Sequence, residues 1–471
     1  MGGVDLELSK EIKILGLIID EKLTFNQHVL ATCRKATAIH KQLTRAAKVS
    51  WGLQPEIIRT IYTAVIEPII MYAASAWAPA AKKLCIRNHL NAVQRSFAQK
   101  ICKAYRTVSL NSALLLSGLL PLDLRIQEAA KIFEAKRGIP QPLIGDRELE
   151  LKASHTAAPH PAESKSFSYE CEDQETEEDS HDVRLFTDGS KIQNKVGASL
   201  SCWNNGVEIK AHKYKLESYC TVFQAEMYAV LKATEFVLRS DRGSFGIYSD
   251  SRSTLEIIGN QGSFNPIAVE IRKNLADIQG QAKEIKLYWV RAHVGTVGNE
   301  RADTLAKEAA LKIKTKPYYD RCPISFIKKS IRLETLEEWG RRYSTESTAS
   351  GTKMFYPDAV EAYPEIKKLK LNPILVQIMT GHGGFSEYLH RFKCKESPSC
   401  VCEPGKAESI PHLIAECPQF ITQRFNLENE MEEEIRIDTI HKIMKNKYIR
   451  GKFLEFCVKI ATIVIKLCPG Q

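Results

Sequence analysis

The sequence predicts a multi-domain α+β protein in which a mainly helical region precedes a mixed five-stranded sheet with flanking helices. The chain has 471 residues, which is too long for one ordinary hydrophobic core. Apolar residues recur at helical spacing over residues 1–140, whereas strand-like and helix-like runs alternate over residues 183–313. Between them, residues 141–182 end in a block with 8 acids in 13 residues. Such a block repels itself and predicts a linker.

The first region, residues 1–140, opens with a predicted strand pair in IKILGLIID. Helical spacing then predicts helices over 28–47, 55–72 and 85–105. The region holds 20 Lys and Arg against 10 Asp and Glu. Its positive charge suits a polyanionic partner, although a solvated helix face is the simpler interpretation of any single base.

The central region, residues 183–313, predicts three successive strands, VRLFTD, VGASLSCW and VEIKAHKY, with a hairpin turn at NNG. Further elements follow in the order helix, strand, two helices, strand and helix, at 221–239, FGIYSD, 251–260, 266–282, EIKLYWVR and 298–313. Antiparallel strands followed by β-α repeats predict a mixed sheet covered by helices.

The last region, residues 314–471, is less regular and predicts mainly helices, one at 324–343 and a long one after 430. The motif GHGGF at 381–385 resembles part of a phosphate-binding loop. No Lys-Ser/Thr pair follows it, so we interpret it as a turn.

Composition limits the class of protein and the cellular compartment that the sequence is compatible with. The net charge is +10 and 44% of the residues are hydrophobic, as expected of a globular protein with an acidic partner. No signal peptide pattern opens the chain, and the apolar stretch near its end is short and charged. Thirteen scattered cysteines fit reduced thiols. We therefore expect a soluble intracellular protein, cytoplasmic, nuclear or both.

Four carboxylates of the central region follow the order that a two-metal nuclease needs: Asp188, Glu226, Asp250 and Asp303. Two end strand-like runs and two lie in helix-like runs, so a folded sheet can bring them together. Hard divalent ions, two Mg²⁺ or Mn²⁺, prefer such oxygen ligands and catalyse phosphodiester hydrolysis in pairs. Like charges crowded together repel, so at least one pKa should rise.

His293 lies in the loop RAHVGTVGNE, ten residues before Asp303. A mobile imidazole at the rim of a site can shuttle protons at neutral pH. A single loop histidine is commonly a bystander, and here the neighbouring acids favour a catalytic role.

Together TDGS, QAEMYAV, YSDS and HVGTVGNERAD resemble the four acidic motifs and histidine loop of type 1 ribonuclease H. The resemblance implies that Asp188, Glu226, Asp250 and Asp303 bind two Mg²⁺ ions, that His293 aids proton transfer or product release, and that the substrate is an RNA–DNA hybrid. Glu226 would also face a 2′-hydroxyl of the RNA. Gly189, Ser190 and Asn299 match as supporting positions. The chain departs from the family over 260–285, where only Arg272, Lys273 and Lys283 are basic.

The flanking regions resemble parts of a LINE-type, Jockey-like non-LTR retrotransposon protein. IKILGLIIDEKLTFNQHV and the helices after it resemble the closing strand pair, thumb and connector of its reverse transcriptase. The palm aspartates of a polymerase are not found in the chain, so we expect no polymerase activity and a truncated retroelement protein.

In the tail, at about 394–420, Cys400, Cys402, His412 and Cys417 offer thiolate and imidazole ligands that suit a structural Zn²⁺. The segment resembles the Cys-Cys-His-Cys segment that follows ribonuclease H in many such elements. Cys394 is an alternative ligand, and free thiols beside a helix are the simpler interpretation.

The sequence thus predicts a Mg²⁺-dependent endonuclease that hydrolyses the RNA strand of RNA–DNA hybrids. Three alternatives stay open: a nucleic-acid-binding module without catalysis, an integrase-like nuclease that cuts DNA, and a decayed retroelement fragment without a function. The oligomeric state is not predicted.

Overall fold

A computed structural model describes residues 9–46, 52–154, 167–171, 181–312 and 314–466. The chain forms two compact units, one from Met1–Lys131 with Ile331–Gln471 and one from Ile132–Ser330. We call them the discontinuous unit and the central unit. The division into four segments stays a prediction, and residues 155–166 and 172–180 of the predicted linker lie outside the described residues.

Ten strands occur in the described residues. They are β1 Glu11–Ile14, β2 Leu17–Asp20, β3 Tyr169–Cys171, β4 Val183–Ile192, β5 Lys195–Asn204, β6 Val207–Leu216, β7 Ser244–Ser249, β8 Glu284–Trp289, β9 Ser399–Cys400 and β10 Glu403–Ala407.

Nineteen α-helices occur in the same ranges. They are α1 Asn26–Ala46, α2 Pro55–Ile61, α3 Glu67–Met71, α4 Ala74–Trp77, α5 Leu84–Ile101, α6 Leu110–Ser117, α7 Leu122–Lys136, α8 Val222–Leu238, α9 Arg252–Gly259, α10 Pro266–Gly280, α11 Val297–Leu311, α12 Ile324–Thr345, α13 Ser350–Phe355, α14 Ala359–Ile366, α15 Pro373–Thr380, α16 Ser386–Arg391, α17 Ile421–Met431, α18 Ile440–Lys445 and α19 Lys447–Lys466.

The central unit contains a six-stranded sheet in the order β3-β8-β7-β4-β5-β6. β4, β5 and β6 are antiparallel neighbours, whereas β3, β8, β7 and β4 run parallel. The predicted mixed sheet with flanking helices is confirmed, but the predicted number of five strands is wrong. The sixth strand, β3, has only three residues and falls within the stretch interpreted as a linker. It forms by parallel pairing with β8, whose backbone N–H and C=O groups would otherwise be unpaired on that side.

The central strands β4 and β5 are buried along most of their length. Both faces are covered, as expected for strands with helices packed on the two sides of a sheet. The helix α8 is also buried on most of its surface. It begins at a capping box in which the Thr221 side chain and the Gln224 backbone N–H pair, and the Gln224 side chain returns to the Thr221 N–H. This cap fixes the start of the helix that carries Glu226.

Two glycines let helices approach the sheet closely. A Cβ on Gly189 of β4 would lie 2.4 Å from the backbone nitrogen of Glu226 on α8. A Cβ on Gly298 of α11 would lie 2.3 Å from the ring of Phe186 on β4. Both positions therefore require glycine, and they hold α8 and α11 against the strand that carries Asp188.

The discontinuous unit is mainly helical, as predicted, with the hairpins β1–β2 and β9–β10. Its core combines side chains from both of its chain segments, among them Tyr62, Phe97, Phe355 and Phe453. Ser112 and Thr352 also share a buried hydrogen bond of 2.8 Å. The two segments thus form one core although residues 132–330 separate them in the chain.

Among the described residues, none of the single helices has both the length and the apolar composition needed to cross a bilayer. One pair of shorter stretches, Pro55–Met71 and Ala74–Lys82, meets those two criteria together but is bent by 52°.

Candidate active site and Cys/His cluster

Asp188 and Asp250 lie on neighbouring parallel strands. The parallel pairing of β4 with β7 ends at Thr187 opposite Ser249, and each aspartate is the next residue of its chain. The prediction that Asp188 ends its strand is wrong, because β4 continues to Ile192 in its hairpin with β5. The two carboxylates still meet, because Asp188 and Asp250 directly follow the last paired residues of two neighbouring parallel strands.

Glu226 reaches the same place from α8. Ligand oxygens of Asp188, Glu226 and Asp250 all lie within 4.8 Å of one another. Asp188 and Glu226 are each only 7% exposed. A strand, a helix and a strand end therefore bring three acids to one buried point, which we call the carboxylate cluster.

Asp303 lies on α11 beside this cluster but is not one of the three acids within 4.8 Å. It forms a second group with Glu300 and His293, whose ligand atoms also lie within 4.8 Å of one another. Its Oδ2 accepts a hydrogen bond of 2.5 Å from Lys307 Nζ. The charge of Asp303 nevertheless acts on the cluster, since it raises the pKa of Asp188.

The electrostatics of the carboxylate cluster match the predicted crowding of charge. Burial, followed by the charges of Asp250 and Asp303, raises the pKa of Asp188 to about 7. Burial and the charges of Asp188 and Asp250 raise the pKa of Glu226 well above its ordinary value. Burial also raises the pKa of Asp250, against the effect of its hydrogen bond with Asn299. A bound cation would relieve this repulsion.

Several buried oxygens at the site have no hydrogen-bond partner among the described residues: Asp188 Oδ2, Glu226 Oε2 and Asn299 Oδ1. Asn299 donates its Nδ2 to Asp250 Oδ2 at 3.3 Å, which orients that carboxylate. Unpaired buried oxygens are costly unless a ligand satisfies them. The donor set is all oxygen, so it fits Mg²⁺ or Mn²⁺ better than a soft metal.

His293 is exposed, in the loop before α11, with a positive φ of 55°. Gly295 follows with a φ of 89°. A ring nitrogen of His293 lies within 4.8 Å of ligand oxygens of Glu300 and Asp303, and the charge of His293 opposes the rise in the pKa of Asp250 that burial causes. The structure thus brings His293 near the acids, as the sequence predicted, and leaves its ring open to solvent.

Two of the three basic side chains in 260–285, those of Arg272 and Lys283, form hydrogen bonds to backbone carbonyls of the central unit. The Arg272 guanidinium donates to four backbone carbonyls, those of Ile257, Ile258, Asn260 and Ser263. Lys283 donates to the carbonyls of Val237 and Leu238. Neither side chain is presented to a substrate, which agrees with the departure noted from the sequence.

Two charged residues of α11 were missed by the sequence reasoning, Glu300 and Lys307. Glu300 has a ligand oxygen within 4.8 Å of a ligand oxygen of Asp303. Lys307 forms an ion pair with Asp303. The spacing of Asp303 and Lys307, i and i+4 on one helix, was a signal that could have predicted the pair.

In the discontinuous unit, Cys400, Cys402, His412 and Cys417 converge as predicted, with ligand atoms within 4.8 Å of one another. Cys402 Sγ lies 3.0 Å from Cys400 Sγ, 3.3 Å from Cys417 Sγ and 3.4 Å from His412 Nε2. We call this group the Cys/His cluster. Cys394 is exposed and outside it. All described cysteines are free of disulfides.

The second ring nitrogen of His412, Nδ1, lies 3.5 Å from Glu416 Oε2. A carboxylate behind the second imidazole nitrogen is the usual support of a zinc-binding histidine. Three thiols and one imidazole form a donor set that suits a structural zinc ion.

Parts of this chain are similar to known proteins. The RNase H family model matches residues 180–311. A 115 kDa protein of the type-1 retrotransposable element R1DM of Drosophila melanogaster is 28% identical over 138 residues, which are 29% of this chain and 14% of that protein. The R1 Pol polyprotein of Popillia japonica is 26% identical over 255 residues, 52% of this chain and 95% of that protein.

Ribonuclease H of Campylobacter jejuni is 26% identical over 141 residues, 28% of this chain and 92% of that enzyme. Among solved structures, the N-terminal RNase H domain of a Mycobacterium tuberculosis protein is 18% identical, with a TM-score of 0.24, and covers 28% of this chain and 94% of its own. The central unit therefore contains an RNase H domain, with homology to the Pol polyproteins of R1 non-LTR retrotransposons.

Proposed function

We propose that this protein is a divalent-metal-dependent endonuclease that hydrolyses the RNA strand of RNA–DNA hybrids. The observation that carries the proposal is the carboxylate cluster, in which three acids from separate elements lie within 4.8 Å with raised pKa values and unpaired oxygens. A structural salt-bridge network would pair those oxygens with bases, and here they face one another. The RNase H match supports the same reaction class.

In this proposal Asp188, Glu226, Asp250 and Asp303 hold two Mg²⁺ or Mn²⁺ ions. The ions would supply an activated water and charge stabilisation for the leaving oxygen. Asn299 orients Asp250 through its amide N–H. In the same proposal, Glu226 accepts a hydrogen bond from a 2′-hydroxyl, the group that distinguishes RNA from DNA. Exposed His293 transfers a proton at the rim or assists product release.

Cleavage of defined substrates tests this proposal. The full chain with Mg²⁺ should cut the labelled RNA strand of an RNA–DNA hybrid, and Asp250→Asn should reduce the rate at least about a hundredfold, because a ligand is lost. Asp277→Asn is the matched control, since Asp277 is exposed on α10 of the same unit. This control should retain full activity.

The other outcomes separate the alternatives. Equal cutting by Asp250→Asn and the parent protein would mean that the cluster is not the active site. Cutting of duplex DNA in place of the hybrid would favour an integrase-like nuclease. Hybrid binding without turnover at any Mg²⁺ or Mn²⁺ concentration would favour a binding module.

We also propose that the Cys/His cluster binds one structural Zn²⁺. The purified chain should contain about one zinc per molecule by elemental analysis. Cys402→Ser should lose that zinc, because Cys402 contacts the other three ligands. Cys394→Ser is the control, since this exposed thiol lies outside the cluster. Retention of zinc by Cys402→Ser would exclude this ligand set.

A further inference from the structure

The discontinuous unit contains a cavity of about 730 Å³ beside the Cys/His cluster. Its walls come from the start of α13, the turn after α15, the helix α16 and the segment leading to His412. The side chains of His382, Tyr388 and Arg391 line it. A volume in this range accommodates a ligand of nucleotide size.

The aromatic rings of His382 and Tyr388 line the cavity, and the ring of Tyr388 contacts Phe392, which lies outside the lining. We call these three rings the aromatic ladder. The ring centroids of His382 and Tyr388 are 5.0 Å apart, and those of Tyr388 and Phe392 are 4.8 Å apart. Phe392, at the outer end, is 43% exposed. The ring planes in each pair are tilted by 45°, so the exposed ring of Phe392 offers the free face on which a further planar group can stack.

Thr107 fixes the inner part of the ladder. Its hydroxyl lies 2.9 Å from His382 Nδ1 and 2.7 Å from the hydroxyl of Tyr388. One side chain thus holds two rings, so the aromatic ladder is preorganised. The other ring nitrogen of His382, Nε2, has no hydrogen-bond partner among the described residues.

Positive charge accompanies the ladder. The Arg391 guanidinium lies 6.0 Å from the centroid of Phe392, and Arg391 is exposed. No ion pair to Arg391 occurs within the part of the chain that the structure describes. Arg391 and Arg95 both act on His382, whose pKa is lowered first by burial and then by these two charges. Glu387 is the single acid among the described residues that line the cavity, and its carboxylate can accept a hydrogen bond from an amino or hydroxyl group.

We propose that this cavity and the aromatic ladder bind single-stranded nucleic acid, with a base stacked on the exposed Phe392 ring and a backbone phosphate on Arg391. Unpaired bases expose their faces for stacking, whereas the bases of a duplex do not. The site belongs to the discontinuous unit and not to the carboxylate cluster. It therefore stands whether or not the central unit cleaves RNA.

Binding of labelled oligonucleotides to the full, zinc-retaining chain tests the proposal, without added Mg²⁺. The probes are fluorescein-labelled 16-mers of thymidine and of uridine, and a DNA hairpin duplex, read by anisotropy. Phe392→Ala should weaken binding of the single strands about tenfold or more, because one stacking partner is lost. Phe425→Ala is the matched control, since Phe425 is 61% exposed on α17 of the same unit. It should bind as the parent chain does.

Arg391→Gln tests the phosphate contact independently. Log K falls as log salt rises, and Arg391→Gln should make this slope less steep by about 0.7, the contribution of one single-strand phosphate contact. Phe392→Ala should leave this slope unchanged. Melting curves show whether either variant is misfolded. Because the two variants change separate groups, a folding failure in one variant still allows the other to test the proposal.

Equal losses for the DNA and RNA strands support recognition by stacking. A larger loss for RNA also supports the site and indicates contact with the 2′-hydroxyl. The proposal is overturned if folded Phe392→Ala and Arg391→Gln bind single strands as Phe425→Ala does. It is also overturned if the parent chain binds the hairpin as tightly as the single strands and both variants weaken the two equally.

Discussion

At the residue scale, the acids of the carboxylate cluster suit metal binding but lower the stability of the metal-free protein. Asp188 is 7% exposed, faces other acids and has an unpaired oxygen. These features destabilise the metal-free fold when the acids are ionised, and they suit a cation. The site is therefore an example in which residues selected by function reduce the stability of the protein that carries them.

Asp188→Asn should stabilise the metal-free protein by about 1–2 kcal/mol at pH 7.5, because it removes one of the crowded charges. The folded pKa of Asp188, about 7, lies above its unfolded value. The folded state then binds the proton more tightly, so stability falls as the pH rises from about 4 through 7. Denaturant unfolding in the absence of divalent ions should show this slope for the parent chain and a flatter one for Asp188→Asn.

The control for this pH dependence is Asp277→Asn, which should keep the slope of the parent chain because Asp277 is exposed. Asp188→Asn should have no nuclease activity. If it were less stable than the parent chain at pH 7.5, the conclusion that Asp188 is electrostatically strained would fail.

Gly189→Ala should damage both stability and activity. The added Cβ would meet the Glu226 backbone nitrogen at 2.4 Å, so α8 must shift. We expect a loss of about 1–3 kcal/mol and slow cleavage of the hybrid, because Glu226 moves with the helix. In the control Gly280→Ala, the new methyl group meets open space at the end of α10. That control should be neutral in unfolding and cleavage assays, and the same result for Gly189→Ala would contradict the close approach.

At the element scale, α8 depends on its first turn for the position of Glu226. The capping box of Thr221 and Gln224 satisfies backbone N–H groups that the helix itself cannot. Outside the RNase H match, Glu150 accepts hydrogen bonds of 2.6 Å from Gln224 and 2.5 Å from Tyr319. Segments on both sides of the matched residues thus stabilise the start of this helix.

Thr221→Ala should lower the free energy of unfolding by about 1 kcal/mol, the usual cost of a lost N-cap. Thr296→Ala provides a matched control, because Thr296 precedes α11 in the same position but makes no side-chain capping hydrogen bond. Thermal melting should therefore separate the two variants. Equal effects of the two substitutions would mean that the cap of α8 contributes nothing specific.

The sequence predicted the elements whose signals are local. Alternating apolar runs predicted β4 to β8, and helical spacing predicted α8, α11 and α12. The strand β3 was missed because YEC is short and polar and forms only by pairing with β8. The extent of β4 beyond Asp188 was missed for a similar reason, since that part is held by the hairpin with β5. Pairing between distant residues leaves no local pattern to detect.

The candidate site was likewise predicted where its signals are local and missed where they depend on the folded structure. The four acids and His293 were found because motif order survives in the sequence. The distance that separates Asp303 from the three-acid group depends on how α11 packs through Gly298, which no local pattern reports. The aromatic ladder was likewise invisible, because Thr107 and His382 meet only in the folded discontinuous unit.

At the scale of the whole molecule, the two units carry different proposed metals, Mg²⁺ in the central unit and Zn²⁺ in the discontinuous one. A ligand that binds only the folded state raises stability by about 2.7 kcal/mol at a hundred times its Kd. Because each ion acts on its own unit, the two ions should be distinguishable in unfolding experiments.

Calorimetry should show two transitions, one raised by Mg²⁺ and the other lowered by a zinc chelator. Asp188→Asn should remove the Mg²⁺ response and leave the chelator response unchanged. One transition that responds to both treatments would mean that the units unfold together.

The division of one core between residues 1–131 and 331–471 also affects synthesis on the ribosome. The first segment emerges with the buried helix α6, which packs in the finished protein against α14 of the second segment. Translation proceeds at about 5–20 residues per second, so the intervening residues impose a delay of roughly 10–40 s before the second segment appears. During that delay the apolar surface of α6 is exposed to aggregation and proteolysis.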